Sequence, residues 1–296
     1  MTPISTSNTS VAALADTVAA AYRFVPAGPG TGPKPVGVVA PVSIPDGLNE
    51  LSLEQAYRLQ TAVIQDLVTR WGAHPAGFKI SCTGEADRDR IGALEPTYGT
   101  LTDLHLLDSG SSIGLSGTNS PLVEPELLLR LTREPALDAG PDELADSVEV
   151  AAGIEVPICR FRHWWPEGAT PNLTLGGLIG DNSVAGFVVT GQHWARLSAP
   201  EIDSMEVELR APDGQVSRGH AGNVFGSPIA ALSWLLQTTR RHDARIPVGA
   251  IIASGTLAPP VRAQRGTYVA DYSLVGATSV TFNDDGFEKE KSDHGA

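Results

Sequence analysis

The stretch Ser120–Leu131, "SPLVEPELLLRL", sets five leucines and a valine around two glutamates, Glu124 and Glu126, which only Pro125 separates. So short and apolar a run reads as a half-buried strand. In a strand, residues i and i+2 share a face, so Glu124 and Glu126 project together, with Leu122 and Leu128 on the same side. Pro125 points the other way and cannot donate a ladder hydrogen bond, which places this strand at an edge or at a bulge. Two like charges this close repel unless a proton or a cation sits between them. A hard divalent cation takes oxygen ligands. A solvated strand face is the competing reading, and spacing alone leaves both open.

A third carboxylate stands in similar company. Glu155 lies in "AAGIEVPICRF", surrounded by apolar residues, where lone acids are uncommon. Pairing with Arg160 or Arg162 would account for it equally well. Further strands are expected at "GFKIS", "GFVVTG", "MEVELRA", "GAIIASG", "TYVADY" and "ATSVTF", with "APDGQ" as a turn between two of them. Val11, Leu14, Ala15, Val18 and Tyr22 fall at helical spacing, and Ser52 with Gln55 makes a capping box for a helix reaching about Arg70. Further helices are expected from Pro141 to Ala152 and from a Ser227 cap followed by Pro228. Residues 25–47 are too rich in Gly and Pro for a helix and read as a linker or arm; the "GPGTGPK" within them lacks phosphate-loop spacing.

The chain of 296 residues, 42% hydrophobic and 19% charged, is that of a globular protein. A net charge of −13 with no Lys/Arg stripe argues against nucleic acid and against an anionic membrane surface. Cys82 and Cys159 are far apart, which rules out a disulfide framework or a thiolate zinc site. With no signal-peptide pattern and no long apolar span, the expected location is the cytoplasm. His105, His193 and His220 show no metal-ligand spacing, and there is no Gly-x-Ser-x-Gly nucleophile elbow.

Taken in order, "GFKIS", "EPTYGTLTD", "LVEPELLLRL", "AAGIEVPICR", "GDNSVAGFVVTG", "GSPIAALSWL" and "IIASGTLAPP" resemble the hydratase/decarboxylase family, within the fumarylacetoacetate-hydrolase-like superfamily. That family includes 2-keto-4-pentenoate hydratases and 4-oxalocrotonate decarboxylases. The resemblance covers about residues 50 to 282. It implies an α+β fold, with a smaller N-terminal helical portion before a strand-rich mixed β roll. The chain then divides into a helix and Gly/Pro-rich arm (1–50), a catalytic domain (51–282) and a disordered tail (283–296).

The same resemblance implies that Glu124, Glu126 and Glu155 bind Mg²⁺ or Mn²⁺, and that Lys79 lies beside the metal and touches substrate or an acid–base group. An ion pair between Lys79 and one of the glutamates is the bland alternative. Three carboxylates leave about half of an octahedral ion's positions for water or substrate oxygens. The implied substrate is a small 2-oxo or 2-hydroxydienoic acid, and a homo-oligomer is expected. Arg160, Asp103 and Trp164 are candidate substrate contacts. Trp164 belongs to the loop Phe161–Asn172, whose two tryptophans and His163 either close over a planar substrate or form an aromatic surface.

Three places depart from the family pattern, at four residues. Where the hydratases carry an aspartate, this chain has Thr97, and a threonine hydroxyl is no general base near neutral pH. Pro157 and Cys159 follow the third glutamate, and Ser227 replaces a histidine. The Thr97 change leans the reading toward decarboxylation, which needs no base to remove a proton from carbon, while the changes together suggest a different substrate or a departure from the standard reaction. Glu95 or Asp103 could stand in for the missing acid, which would keep ordinary hydration. A repurposed cyclase or isomerase and a catalytically silent scaffold are the further alternatives.

Overall fold

Two capped helices open the chain. In the computed structural model the described residues are 10–22, 24–25, 34–35, 42–136, 138–162, 164 and 172–284. Helix α1 (Val11–Ala21) starts at Ser10, whose Oγ accepts the Ala13 amide at 3.2 Å. Strands β1 (Phe24–Val25) and β2 (Lys34–Pro35) form a small antiparallel ladder. The rest of the arm up to residue 41 lies outside the described residues, as does the tail from 285. Helix α2 (Leu53–Trp71) begins with the expected Ser52–Gln55 capping box and stops at Gly72 with φ +65°, a left-handed conformation that glycine adopts freely. Leu14 and Val18 of α1 pack with Leu59, Val63 and Leu67 of α2.

There follow β3 (Pro75–Ser81), α3 (Glu85–Ile91), β4 (Thr97–Thr102), β5 (Leu106–Asp108), β6 (Ser112–Gly114) and β7 (Leu122–Leu131). The middle of the chain holds α4 (Pro141–Asp146), β8 (Val148–Val156), α5 (Leu175–Gly180), β9 (Phe187–Thr190) and α6 (Ala199–Asp203). It closes with β10 (Glu206–Arg210), β11 (Val216–His220), α7 (Pro228–Arg241), β12 (Ile251–Thr256), β13 (Val261–Arg262), β14 (Gly266–Tyr272) and β15 (Gly276–Asn283).

A mixed sheet runs in the order β4-β3-β12-β7-β8-β9-β5, with β13 also pairing to β7. A second sheet, β11-β10-β14-β15-β6, packs on it, and Tyr268, Tyr272, Val280 and Phe282 share one core with Leu127, Val150 and Ile154. The architecture is the expected α+β one, with helices first and a curled, strand-rich roll after them. Among the described residues no helix is long and apolar enough to cross a membrane.

Two local expectations are corrected. The helix expected over Pro141–Ala152 ends at Asp146, and Val148–Val156 is a strand. Tertiary packing overrides the helical preference of its alanines. A Cβ on Gly153 would lie 2.5 Å from Leu128 Cγ, so β8 can approach β7 this closely only with a glycine there. Strand β7 is not at an edge, since β8 and β12 flank it. Of the two ways to house Pro125, the irregular one is used. The β12 register shifts between Ala253 and Thr256, and the Leu257 amide donates to the Pro125 carbonyl at 2.9 Å.

Candidate metal centre

The register of two central strands assembles the carboxylates. Glu124 on β7 lies directly opposite Glu155 on β8, and Glu126 follows two residues along the same face. One oxygen from each of the three lies within 4.8 Å of the others. Glu126 and Glu155 are fully buried, and Glu124 is half-buried at the opening. The Gly255 amide donates to Glu126 Oε2 at 2.9 Å. From behind, the Tyr272 hydroxyl reaches the Glu126 and Gly153 carbonyls at 2.8 and 2.7 Å, tying the second sheet to the strand pair that carries the site.

Lys79 enters from β3, with its Nζ 3.0 Å from Glu155 Oε1. The ammonium also donates to Ser81 Oγ and, at 3.0 Å, to the Ser183 carbonyl. Lys79 is 1% exposed. Glu126 Oε1 and both Glu155 oxygens have no well-directed hydrogen bond among the described residues. The Lys79–Glu155 contact is therefore a close ion pair rather than an aligned hydrogen bond.

Burial, followed by the Glu155 charge, pushes the Glu124 carboxyl up to about 8. Glu126 and Glu155 are raised as well, again chiefly by burial. Burial is the largest influence on Lys79 and pulls it down, but Glu155, Glu124 and Glu126 together outweigh it and leave the ammonium favoured. With all four groups ionised, three carboxylates against one ammonium leave two negative charges uncompensated. Buried charges need partners. A divalent cation matches that deficit, and the orphaned oxygens are the hard donors such an ion prefers.

A cavity of about 90 Å³ opens on the cluster, lined by Lys79, Ser81, Glu124, Leu122, Trp164 and Leu178. A larger cleft, about 1010 Å³ and lined by Tyr57, Tyr98, Trp234 and Glu95, holds neither Lys79 nor any of the three glutamates. Chemistry rather than size therefore selects the smaller cavity.

The other candidates sit as follows. Thr97 is buried, with its Oγ1 3.2 Å from Ser183 Oγ, one residue contact away from Lys79. Trp164 is buried on the cavity wall, with Nε1 donating to the Asn119 carbonyl at 3.0 Å. His163 and Trp165 lie outside the described residues. Arg160 is buried against Asp181, its Nε 2.7 Å from Oδ1. Glu95 lies in the larger cleft, where Trp234 and Arg241 donate to it at 2.9 and 3.1 Å and hold its carboxyl below the usual range. Asp103 is exposed and accepts the His74 amide at 2.8 Å. Neither acid is brought to the cluster.

Sequence reading missed Ser81, Ser183 and the Gly255 amide as neighbours of the site. Only Ser81 carried a usable signal, since it stands two residues from Lys79 on the same strand and so shares its face.

No family model matches the chain. It is 28% identical over 235 residues to a 2-keto-4-pentenoate hydratase of Burkholderia vietnamiensis, covering 77% of this chain and 86% of that one. A 2-hydroxyhexa-2,4-dienoate hydratase of Comamonas testosteroni is 25% identical over 226 residues, covering 75% of this chain and 82% of the relative. Among solved structures, 4-oxalocrotonate decarboxylase from Pseudomonas putida G7, complexed with magnesium and adipate, superposes with a TM-score of 0.75 at 21% identity. That superposition covers 92% of this chain and 97% of the other, and it shows the shared fold. Sequence similarity along most of the chain, the common fold and the buried three-glutamate cluster align this protein with the 2-keto-4-pentenoate hydratase/4-oxalocrotonate decarboxylase family of lyases, on the fumarylacetoacetate-hydrolase-like fold.

Proposed function

We propose that this chain is a divalent-metal-dependent hydratase of a small 2-hydroxydienoic (2-oxo-enoic) acid. The observation that carries the reading is Glu124, Glu126 and Glu155 converging beside Lys79, with Glu124 and Lys79 lining one cavity. These three glutamates would hold Mg²⁺ or Mn²⁺. When bound, such an ion supplies Lewis-acid stabilisation of negative charge developing on a 2-oxo oxygen. The names of the sequence relatives, which are hydratases, support hydration over decarboxylation.

The chain's own groups divide the remaining work. Lys79 directs its ammonium at Glu155, Ser81 and Ser183, so its role is to keep a fixed positive charge at the cavity floor. Ser81 faces the same cavity while bonded to Lys79, and its hydroxyl can pass a proton between the ammonium side and a bound ligand. Leu122, Trp164 and Leu178 exclude water along one wall and suit the unsaturated carbon chain of the substrate.

Decarboxylation is the second reading, favoured by Thr97. Its hydroxyl is taken up by Ser183, and no carboxylate stands in its place. Incubation with 2-hydroxypenta-2,4-dienoate and with 4-oxalocrotonate, each with Mn²⁺, separates the two. Loss of diene absorbance without CO₂ is the expected result. CO₂ release from the second compound alone would establish the decarboxylase reading, and inertness toward both would overturn the lyase proposal. A homo-oligomer is part of the proposal, and light scattering checks it.

A further inference from the structure

We infer that Arg160 is a positioning residue whose guanidinium clamps a left-handed turn, and that the central carbonyl of this turn holds Lys79 against Glu155; the inference rests on the reading of Lys79 as part of the metal centre.

Asn182, Ser183 and Val184 have φ of +54°, +49° and +53° in succession. Single asparagines visit this region, but three consecutive residues without glycine rarely do, and a β-branched valine there is an outlier. Conformations this unfavourable persist only where the surroundings over-determine them. The turn closes on itself through the Val184 amide to the Asp181 carbonyl and the Ala185 amide to the Asn182 carbonyl, both at 3.0 Å.

Arg160 brackets both ends. Its Nη2 donates to the Asp181 carbonyl and its Nη1 to the Ala185 carbonyl at 2.5 Å. Its Nε and its backbone amide donate to the Asp181 carboxylate at 2.7 and 3.2 Å. The Tyr22 ring covers the guanidinium, 4.5 Å from centroid to Cζ. These contacts engage Nε and both terminal nitrogens of the guanidinium.

The sides of the turn are fixed to β4. Asn182 exchanges two hydrogen bonds with the Thr100 backbone, at 2.8 and 2.9 Å. Ser183 Oγ donates to the Tyr98 carbonyl at 2.8 Å. Gly99 makes room, because a Cβ there would lie 2.4 Å from the Asn182 carbonyl oxygen. All of this leaves the Ser183 carbonyl aimed at the Lys79 ammonium and at the Ser81 hydroxyl. A lysine at position 160 would keep the charge opposite Asp181, but it lacks the planar fork that spans two carbonyls.

The test combines hydrogen–deuterium exchange over residues 181–185 with Mn²⁺-dependent melting, in wild type, Arg160→Lys and the double variant Arg160→Lys/Ser183→Gly. Arg160→Lys is expected to speed exchange across 182–185 at least tenfold while keeping the Mn²⁺ stabilisation. Glycine at 183 takes the left-handed conformation without strain and retains the carbonyl, so the double variant is expected to regain protection. Where turnover is measurable, Arg160→Lys lowers kcat at least tenfold with KM within threefold, and the double variant recovers part of it. Should Arg160→Lys fail to fold, Asp181→Asn, which weakens the same clamp, is expected to loosen the same segment. Unchanged exchange in both single variants, or a raised KM at constant kcat, would overturn the inference, the latter by making Arg160 a substrate contact. The exchange result stands on its own if wild type neither binds Mn²⁺ nor turns over, an outcome that would fail the proposed function instead.

Discussion

Replacing Lys79 with methionine, which keeps the length of the side chain and removes the charge, exposes how the carboxylate cluster is balanced. Lys79 lies 3.0 Å from Glu155 and is fully buried. Removing one partner of such a pair costs about 3–5 kcal/mol when the other stays charged. That condition depends on pH. The Glu124 carboxyl is raised to about 8, and Glu126 and Glu155 are raised with it. A carboxyl raised above its unfolded value stabilises the fold below that unfolded value, and the stabilisation is lost as pH rises through the folded one. At pH 5.5, without metal, Glu124 carries a proton, so less negative charge faces Lys79, and the substitution removes chiefly the hydrogen bonds to the Ser183 carbonyl and to Ser81, together about 1–2 kcal/mol. At pH 8.5 Glu124 ionises, the negative charge beside Lys79 is greater, and the full cost applies. With an unfolding entropy of roughly 0.6 kcal/mol/K for 296 residues, the melting temperature should fall by about 2–3 °C at pH 5.5 and about 5–8 °C at pH 8.5. Differential scanning fluorimetry in chelator-containing buffer measures both. Equal losses at the two pH values would refute the idea that Lys79 offsets ionised carboxylates.

Tyr272→Phe removes the hydroxyl behind Glu126 and leaves buried carbonyls under-bonded, so calorimetry should show a loss of about 1–3 kcal/mol. His105 is buried beside Thr102, whose amide donates to its Nδ1 at 3.0 Å, and burial followed by the Arg160 charge lowers it to about 4. Its contribution is fully present above pH 6.5 and is lost as pH falls toward 4. Relative to His105→Gln, wild type should lose about 3 kcal/mol across that window, measured by denaturant melts at each pH. Gly99→Ala puts a Cβ 2.4 Å from the Asn182 carbonyl oxygen, which should cost about 1–3 kcal/mol in overpacking and reduce turnover more than Mn²⁺ affinity.

The centre itself was legible because its chemistry is local. Two glutamates at i and i+2 among leucines must share a strand face, while Glu155 joined them only through the family resemblance. The ordered segments supplied the fold and Lys79. What could not be read was set by distant chain. The alanines of Val148–Val156 favour a helix in isolation, and pairing with β7 and β9, distant in the chain, holds them as a strand. The short helix α5 carries glycines at 176 and 180 because the Leu51 carbonyl and Leu59 press against it, which no periodicity reveals. Arg160 was a candidate substrate contact, and its pairing with Asp181, 21 residues along the chain, was not foreseen. The left-handed turn that follows is carried partly by a valine, for which sequence offers no cue.

Whether Glu124, Glu126 and Glu155 hold a divalent cation is tested most directly by melting wild type and Glu126→Ala with increasing Mg²⁺ or Mn²⁺, with and without oxalate as a mimic of a 2-oxo enolate. At a hundred times the dissociation constant, a ligand that binds only the folded state adds about 2.7 kcal/mol, or about 4 °C here. Wild type should rise by that amount, oxalate should add to it only when metal is present, and Glu126→Ala should lose both effects. A wild type indifferent to metal and oxalate, or a Glu126→Ala variant that still responds, would contradict the three-carboxylate site.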